Sequence, residues 1–237
     1  MRGDKFLTES GLLSRKEASA AIRGGRVCVN GLPLRDPARH IDPATDQVTL
    51  DGEAVGYAPF IYYMLNKPEG YVSATEDGHL PTVVSLLPPQ AQKRDPFPCG
   101  RLDRDTVGLM LLTDDGALAH RLLAPKSHVA KSYRFTCAEP LCAEAEALCA
   151  AGMTLGNGDL LRPAGLVCDD DRMGGVITLS EGKYHQIKRM AGALSNRIVT
   201  LERITFGPLA LDPALPRGEC RPLTDAEITA LRQAAGQ

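Results

Sequence analysis

At 237 residues, with 43% hydrophobic and 24% charged side chains and a net charge of −2, the chain has room for one large domain or two. Its composition is that of a globular protein, with no overall attraction for a polyanion. No apolar run approaches the roughly 20 residues that a membrane helix requires, and the charged start Met1-Arg2-Gly3-Asp4-Lys5 leads into no signal-type segment, so a cytoplasmic protein away from membranes is expected. The seven cysteines are scattered with no C-x-x-C pair, and the five histidines stand at no ligand spacing to them; this argues against disulfides, a metal site and any cofactor held by such a site.

Charge is unevenly distributed. Residues 2–39 carry +4 and residues 181–203 carry +3. Local basic patches on a near-neutral chain can hold a phosphate backbone while limiting non-specific binding.

In chain order, Ser14-Arg15-Lys16-Glu17 is a capping-box pattern that starts a helix burying Ala18, Ala21 and Ile22 and stopping at Gly24-Gly25. Lys16, Ser19 and Arg23 share its opposite face. Arg26 to Asn30 alternates as a short strand, and Asn30-Gly31 is a hairpin-turn signal. Val48-Thr49-Leu50 followed by Asp51-Gly52 repeats that pattern, and Gly56-Tyr57-Ala58-Pro59 reads as a linker. Beyond it, residues 60–65 have strand composition and end in Asn66-Lys67-Pro68-Glu69-Gly70, while residues 75–98 are polar and proline-rich.

The next stretch concentrates two carboxylates. Gly100-Arg101-Leu102-Asp103-Arg104-Asp105-Thr106-Val107-Gly108 runs into Leu109-Met110-Leu111-Leu112, an apolar run closed by Thr113-Asp114-Asp115-Gly116 and read as a buried strand. A lone D-x-D usually only shapes a turn; held just before a rigid strand, it is a candidate site. A short helix over residues 117–123 follows, with Asp115 as its N-cap. Then come a strand opening at Lys131-Ser132-Tyr133, an Ala-rich helix over 138–153, short strands over 154–168 and a strand at Val176-Ile177-Thr178-Leu179. A helix opening at Tyr184-His185-Gln186-Ile187-Lys188-Arg189-Met190 turns Ile187, Met190, Ala191 and Leu194 inward and leaves Lys188 and Arg189 off that stripe. His185 reads as a capping or structural group, and Leu223-Thr224-Asp225-Ala226-Glu227 caps a last helix.

Residues 100–116 resemble the signature G-R-L-D-x-D-T-x-G-L-x-L-x-T-x-D-G of the RsuA-type pseudouridine synthases, S4-domain enzymes that modify ribosomal RNA. Three further motifs in order extend the resemblance: L-N-K-P-x-G at 65–70, K-x-Y at 131–133, and E-G-x-x-H-Q-I-K-R-M at 181–190. The first 31 residues are similar to an S4 RNA-binding domain, except that Gly3 stands where that family has leucine, which would remove an apolar anchor from the first helix. The resemblance implies an α+β chain in two parts: an S4-like RNA-binding domain over 1–54, and a catalytic domain on a mixed, largely antiparallel sheet over 59–234. It makes Asp103 the catalytic aspartate, Lys188 its cationic partner where the superfamily mostly has arginine, and Tyr133 the ring against the target base. Arg101 is expected to fill the space the base vacates. Lys67 is expected to serve both structure and RNA backbone contact, and Arg189 and the S4-like Arg15, Lys16, Arg23 and Arg26 are expected to contact RNA.

That chemistry suits these residue types. Converting uridine to pseudouridine moves the ribose C1′ bond from N1 to C5 without oxidation or hydrolysis, so a carboxylate nucleophile suffices with no cofactor or metal. Lysine offers Asp103 a point charge where arginine would offer a fork. Rival readings are a retaining glycosidase using Asp103 and Asp105 about 5 Å apart, a non-catalytic S4-type RNA-binding protein, and a synthase acting on large-subunit RNA. A glycosidase lacks its aromatic platform in a chain with no tryptophan and 5% aromatics. Chain length and the lack of a basic tail favour one uridine of small-subunit (16S) ribosomal RNA, met in an assembly intermediate, as the substrate of a monomeric enzyme.

Overall fold

A computed structural model describes residues 1–124 and 129–236. The chain divides into two compact units, Met1–Ile61 with Pro88–Pro96, and Tyr62–Leu87 with Phe97–Gln237.

In the first unit two helices, α1 (Gly3–Glu9) and α2 (Arg15–Arg23), precede a four-stranded sheet of β1 (Val27–Val29), β2 (Leu32–Pro33), β3 (Val48–Leu50) and β4 (Glu53–Ala54), ordered β2-β1-β3-β4. The capping box is formed as expected: Ser14 N–H donates to the Glu17 carboxylate at 2.8 Å, and Glu17 N–H donates to Ser14 Oγ at 3.4 Å. Asn30 (φ 52°) and Gly31 (φ 78°) turn the β1–β2 hairpin in the left-handed region. Phe6, Leu7, Ala18, Ile22, Val27 and Leu34 close the core between helices and sheet. The missing leucine at position 3 leaves no void. A Cβ there would lie 2.6 Å from Leu34 Cδ2, so Leu34, fully buried, fills the space from the other side.

Residues 88–96, including α3 (Pro89–Gln92), cluster with this unit, although they lie within the stretch that the sequence reading assigns to the catalytic domain. They are held by local polar interactions. The Arg94 guanidinium donates to the carbonyls of Ala58 and Pro59 at 2.7 and 2.8 Å, and Gly11 (φ 77°) lets the backbone at Gln90 approach to where a Cβ would meet it at 2.7 Å. The stretch expected to be a linker is therefore tied down.

The second unit is built on β5 (Tyr62–Lys67), β6 (Phe97–Pro98), β7 (Val107–Thr113), β8 (Lys131–Cys137), β9 (Gly165–Cys168), β10 (Gly174–Leu179), β11 (Ile198–Phe206), β12 (Leu209–Ala210) and β13 (Cys220–Pro222). Its sheet runs β13-β5-β7-β11-β8-β10-β9, with β6 on β7 and β12 on β11. Only the β7–β11 pairing is parallel among the described strands, which makes the sheet mixed and largely antiparallel. Helices α4 (Gly116–Leu123) and α7 (Asp225–Ala234) cover one apolar cluster around Leu109, Leu111 and Phe206; α5 (Ala145–Ala151) and α6 (Gln186–Ala193) cover another around Phe135, Ile177 and Leu201. Leu109 to Leu112 are all fully buried, as the unbroken apolar run requires.

Asp115 caps α4 by accepting from Leu118 N–H at 2.9 Å, and Thr224 caps α7 within a second capping box. The Ala-rich helix is shorter than expected, starting at Ala145 where the sequence suggests 138. Pro140 disfavours helix at the residue before it. The carbonyls of Leu141 and Cys142 are instead taken by the Arg172 guanidinium at 2.8 and 2.5 Å. Arg203, counted in the basic segment, is 1% exposed: Nε donates to Leu109 O at 2.6 Å, and the guanidinium lies over the Phe206 ring at 5.3 Å. It holds β11 against β7 and adds nothing to a surface patch.

Candidate active site

The loop between β6 and β7 carries Asp103, and its position is set from below. Gly108 (φ 98°) lets β7 come so close to β11 that a Cβ there would sit 2.4 Å from Arg203 O. From the end of β5, Lys67 reaches under the loop. Its side chain is completely buried, and Nζ donates to the carbonyls of Pro68, Asp103, Arg104 and Thr106 at 3.1, 3.1, 3.2 and 2.8 Å. Gly70 N–H donates to Arg104 O at 2.9 Å, and Ser73 Oγ donates to Leu102 O at 2.7 Å while accepting from Leu102 N–H at 2.9 Å. Burial pulls the Lys67 pKa down to about 8, against the opposing pull of the nearby Asp105, Asp103 and Glu69 charges. The expectation that Lys67 meets RNA is corrected: its donors are spent on the loop and no part of it reaches solvent.

From the other side, Lys188 in the first turn of α6 points at the same loop. Nζ donates to Asp103 Oδ2 at 2.9 Å and to Asp105 Oδ1 at 2.6 Å, bridging the two carboxylates. Burial lowers the ammonium's pKa, but the hydrogen bonds it donates to Asp105 and Asp103, with the attraction of their charges, together outweigh it and the net shift is upward. The same hydrogen bond holds the Asp105 carboxyl below the usual carboxylate range. The two acids differ in setting: the Asp103 side chain is 29% exposed and Asp105 61%.

A pocket of about 90 Å³ opens over Asp103, lined by Arg101, Thr106, Tyr133, Leu179, Ile187 and Lys188 among others. Arg101, Asp103, Tyr133 and Lys188, drawn from three separate motifs, thus share one concavity. Tyr133 comes from β8, paired with Arg203 of β11 and Ile177 of β10. The Thr106 hydroxyl is buried without a hydrogen-bond partner. Such a group is costly unless a ligand completes it.

Of the two sequence readings of His185, cap or structural group, the cap is not formed. The residue occupies the N-cap position of α6 but makes no side-chain cap; its Nε2 lies 3.5 Å from Asp103 Oδ1. The signal was its place three residues before Lys188 in the same motif. Gln186 orders the preceding turn, donating to the Glu181 carboxylate at 2.8 Å and accepting from Lys183 N–H at 2.8 Å.

The remaining basic residues lie elsewhere. Arg189 pairs with Asp159 at 2.6 Å and donates to Asn157 Oδ1 at 2.6 Å, both contacts within the fold. Arg15, Lys16 and Arg23 are exposed on α2 of the first unit. Arg26, also exposed, forms a two-armed pair with the Asp51 carboxylate. Among the described residues no group of three or more His, Cys, Asp or Glu side chains could hold a metal ion, and no helix is long and apolar enough to cross a membrane.

A carboxylate braced by an ammonium, beside an aromatic ring at a small and largely polar pocket, is an arrangement suited to an enzyme's active site. Comparison with known proteins gives the class of enzyme. Residues 61–158 match the RNA pseudouridylate synthase family and residues 1–53 the S4 domain family. The chain is 45% identical to an uncharacterised RNA pseudouridine synthase of Bacillus subtilis (strain 168), covering 98% of this chain and 99% of that one. It is 42% identical to the ribosomal small subunit pseudouridine synthase A of Escherichia coli (strain K12), over 98% of this chain and 100% of the relative. A crystal structure of a pseudouridylate synthase superposes with a TM-score of 0.69 at 39% identity, over 98% of this chain and 99% of that one. The chain belongs to the S4-domain, RsuA-type family of RNA pseudouridine synthases, and it is an isomerase of that class.

Proposed function

We propose that the enzyme converts one uridine of small-subunit (16S) ribosomal RNA, in an assembly intermediate, to pseudouridine, with Asp103 as the nucleophile acting on a flipped-out base. The observation that carries this reading is the single pocket shared by Arg101, Asp103, Tyr133 and Lys188. The choice of RNA rests on relatives named as small-subunit enzymes.

The target base leaves its stack at a cost of roughly a few kcal/mol and enters the pocket against Tyr133. Arg101, exposed at the rim, fills the space it leaves. Asp103 then supplies a carboxylate at the reacting ring or sugar, and Lys188 keeps that carboxylate turned into the pocket. The C1′–N1 bond breaks, the ring turns, and C1′ bonds to C5. The proton released from C5 is balanced by the one gained at N1, so no water or electron is consumed. Arg15, Lys16, Arg23 and Arg26 hold phosphates and set register.

The test is a comparison of carbodiimide-labelled ribosomal RNA from cells with and without the gene. One missing pseudouridine in 16S RNA, restored by the wild-type gene and not by Asp103→Asn, is the expected result. A missing site in large-subunit RNA would move the substrate; no missing site would overturn the reading.

A further inference from the structure

Tyr184 is 73% exposed, the most exposed of the large apolar and aromatic side chains described. Its ring lies flat on the His185 imidazole, with centroids 3.8 Å apart and planes 19° from parallel. Neighbouring side chains diverge in a strand. Here they face the same way because His185 adopts a left-handed backbone (φ 48°). That conformation is uncommon for a residue with a Cβ, and His185 does not use it to cap α6. What it achieves is the stack, one end of which lies 3.5 Å from Asp103.

The two rings border a second cleft of about 410 Å³ beside the pocket over Asp103. Arg101, Arg104 and Lys183 line it, with Asp103 as the single carboxylate among its lining residues. An open aromatic face beside three cations has the two features that a nucleotide needs, a surface for its base and charge for its phosphate.

We propose that this cleft seats the nucleotide next to the target uridine, its base stacked on the outer face of Tyr184 and its phosphate met by Arg101, Arg104 and Lys183. Tyr184 is then a positioning residue that selects sequence context by holding the neighbouring base. The inference rests on the pseudouridine-forming reading above.

The probe is a 16S RNA fragment around the uridine mapped in cells, carrying 2-aminopurine on one side of that uridine or on the other. Wild-type enzyme should quench one of the two fragments on binding. Tyr184→Ala should lose that quenching and need about tenfold or more RNA for half-saturation, while the single-turnover rate at saturating RNA falls much less. Tyr184→Phe, which keeps the ring, should restore both, and matched thermal midpoints exclude unfolding as the cause. A Tyr184→Ala enzyme with wild-type quenching and half-saturation, or a Tyr184→Phe enzyme as impaired as the alanine variant, overturns the stacking role alone. Wild-type enzyme that forms no pseudouridine in the fragment overturns the reading beneath it, and the nucleotide seat with it.

Discussion

The Lys67 ammonium donates to the backbone carbonyl of Asp103 at 3.1 Å, so the first motif of the catalytic unit holds the backbone of the second from beneath. An ammonium has three hydrogens, and four carbonyls lie within 3.2 Å of it. The loop's shape therefore depends on one buried charge.

Lys67→Met removes every one of those donors. Unsatisfied buried carbonyls cost roughly 1–3 kcal/mol each where water cannot reach them, so a net loss of about 2–4 kcal/mol is expected from urea melts. The lysine's own titration gives a second readout. Its folded pKa, about 8, lies below its ordinary value of 10.5, so between these the unfolded chain holds the extra proton. Relative to Lys67→Met, wild-type stability should rise with pH across that window. Activity should fall there instead, because the neutral amine has one donor fewer for the loop. Stability and rate that move together would contradict this.

At Asp103, asparagine keeps the shape and removes the anion. Turnover in Asp103→Asn should drop by about a thousandfold or more while RNA affinity stays within about threefold. Asp105→Asn, on the exposed side of Lys188, should be milder. An equal loss would show that the nucleophile is the other carboxylate.

Lys188→Met leaves two adjacent carboxylates without their cation and should depress the single-turnover rate strongly; Lys188→Arg should recover much of it. The pair also has a pH signature. The lowered Asp105 carboxyl stabilises the fold fully above the unfolded carboxylate pKa of about 4, and that contribution is lost as pH falls through its lower folded value. Wild-type and Asp105→Asn melting curves should therefore converge in strong acid and separate near neutrality.

Gly108→Ala puts a methyl group onto the Arg203 carbonyl at a positive φ. We expect a loss of about 3 kcal/mol or more in thermal or urea melts, with activity lost as the loop shifts. A stable, active alanine variant would mean that the approach of β7 to β11 is not what places Asp103.

Recognition should separate from chemistry on α2. Lys16→Ala with Arg23→Ala should weaken RNA binding and reduce its salt slope by roughly 0.7 for each phosphate that is no longer neutralised. The rate at saturating RNA should change little. These substitutions test the module better than deleting residues 1–54, because residues 88–96 cluster with that unit.

Sequence alone determined what depends on neighbours a few residues away. The Ser14–Glu17 capping box, the Asn30-Gly31 turn, the buried Leu109 to Leu112 strand, the Asp115 cap and the inward stripe of α6 are all local arrangements, governed by backbone geometry and side-chain period. The family motifs marked Asp103, Tyr133 and Lys188, through resemblance and not through spacing. Tertiary structure decided the partners, because these lie far apart along the chain. Lys188 is 85 residues from Asp103 and 83 from Asp105, and Lys67 is 36 from the Asp103 carbonyl. A lysine in a turn motif looks solvated until four carbonyls converge on it. A histidine before a helix looks like a cap until its backbone turns left-handed and aims the ring at a carboxylate. Arg189 looks free until a loop some 30 residues away supplies Asp159. In each case charge and hydrogen-bond satisfaction are set by which strands lie side by side, and only the assembled sheet determines that.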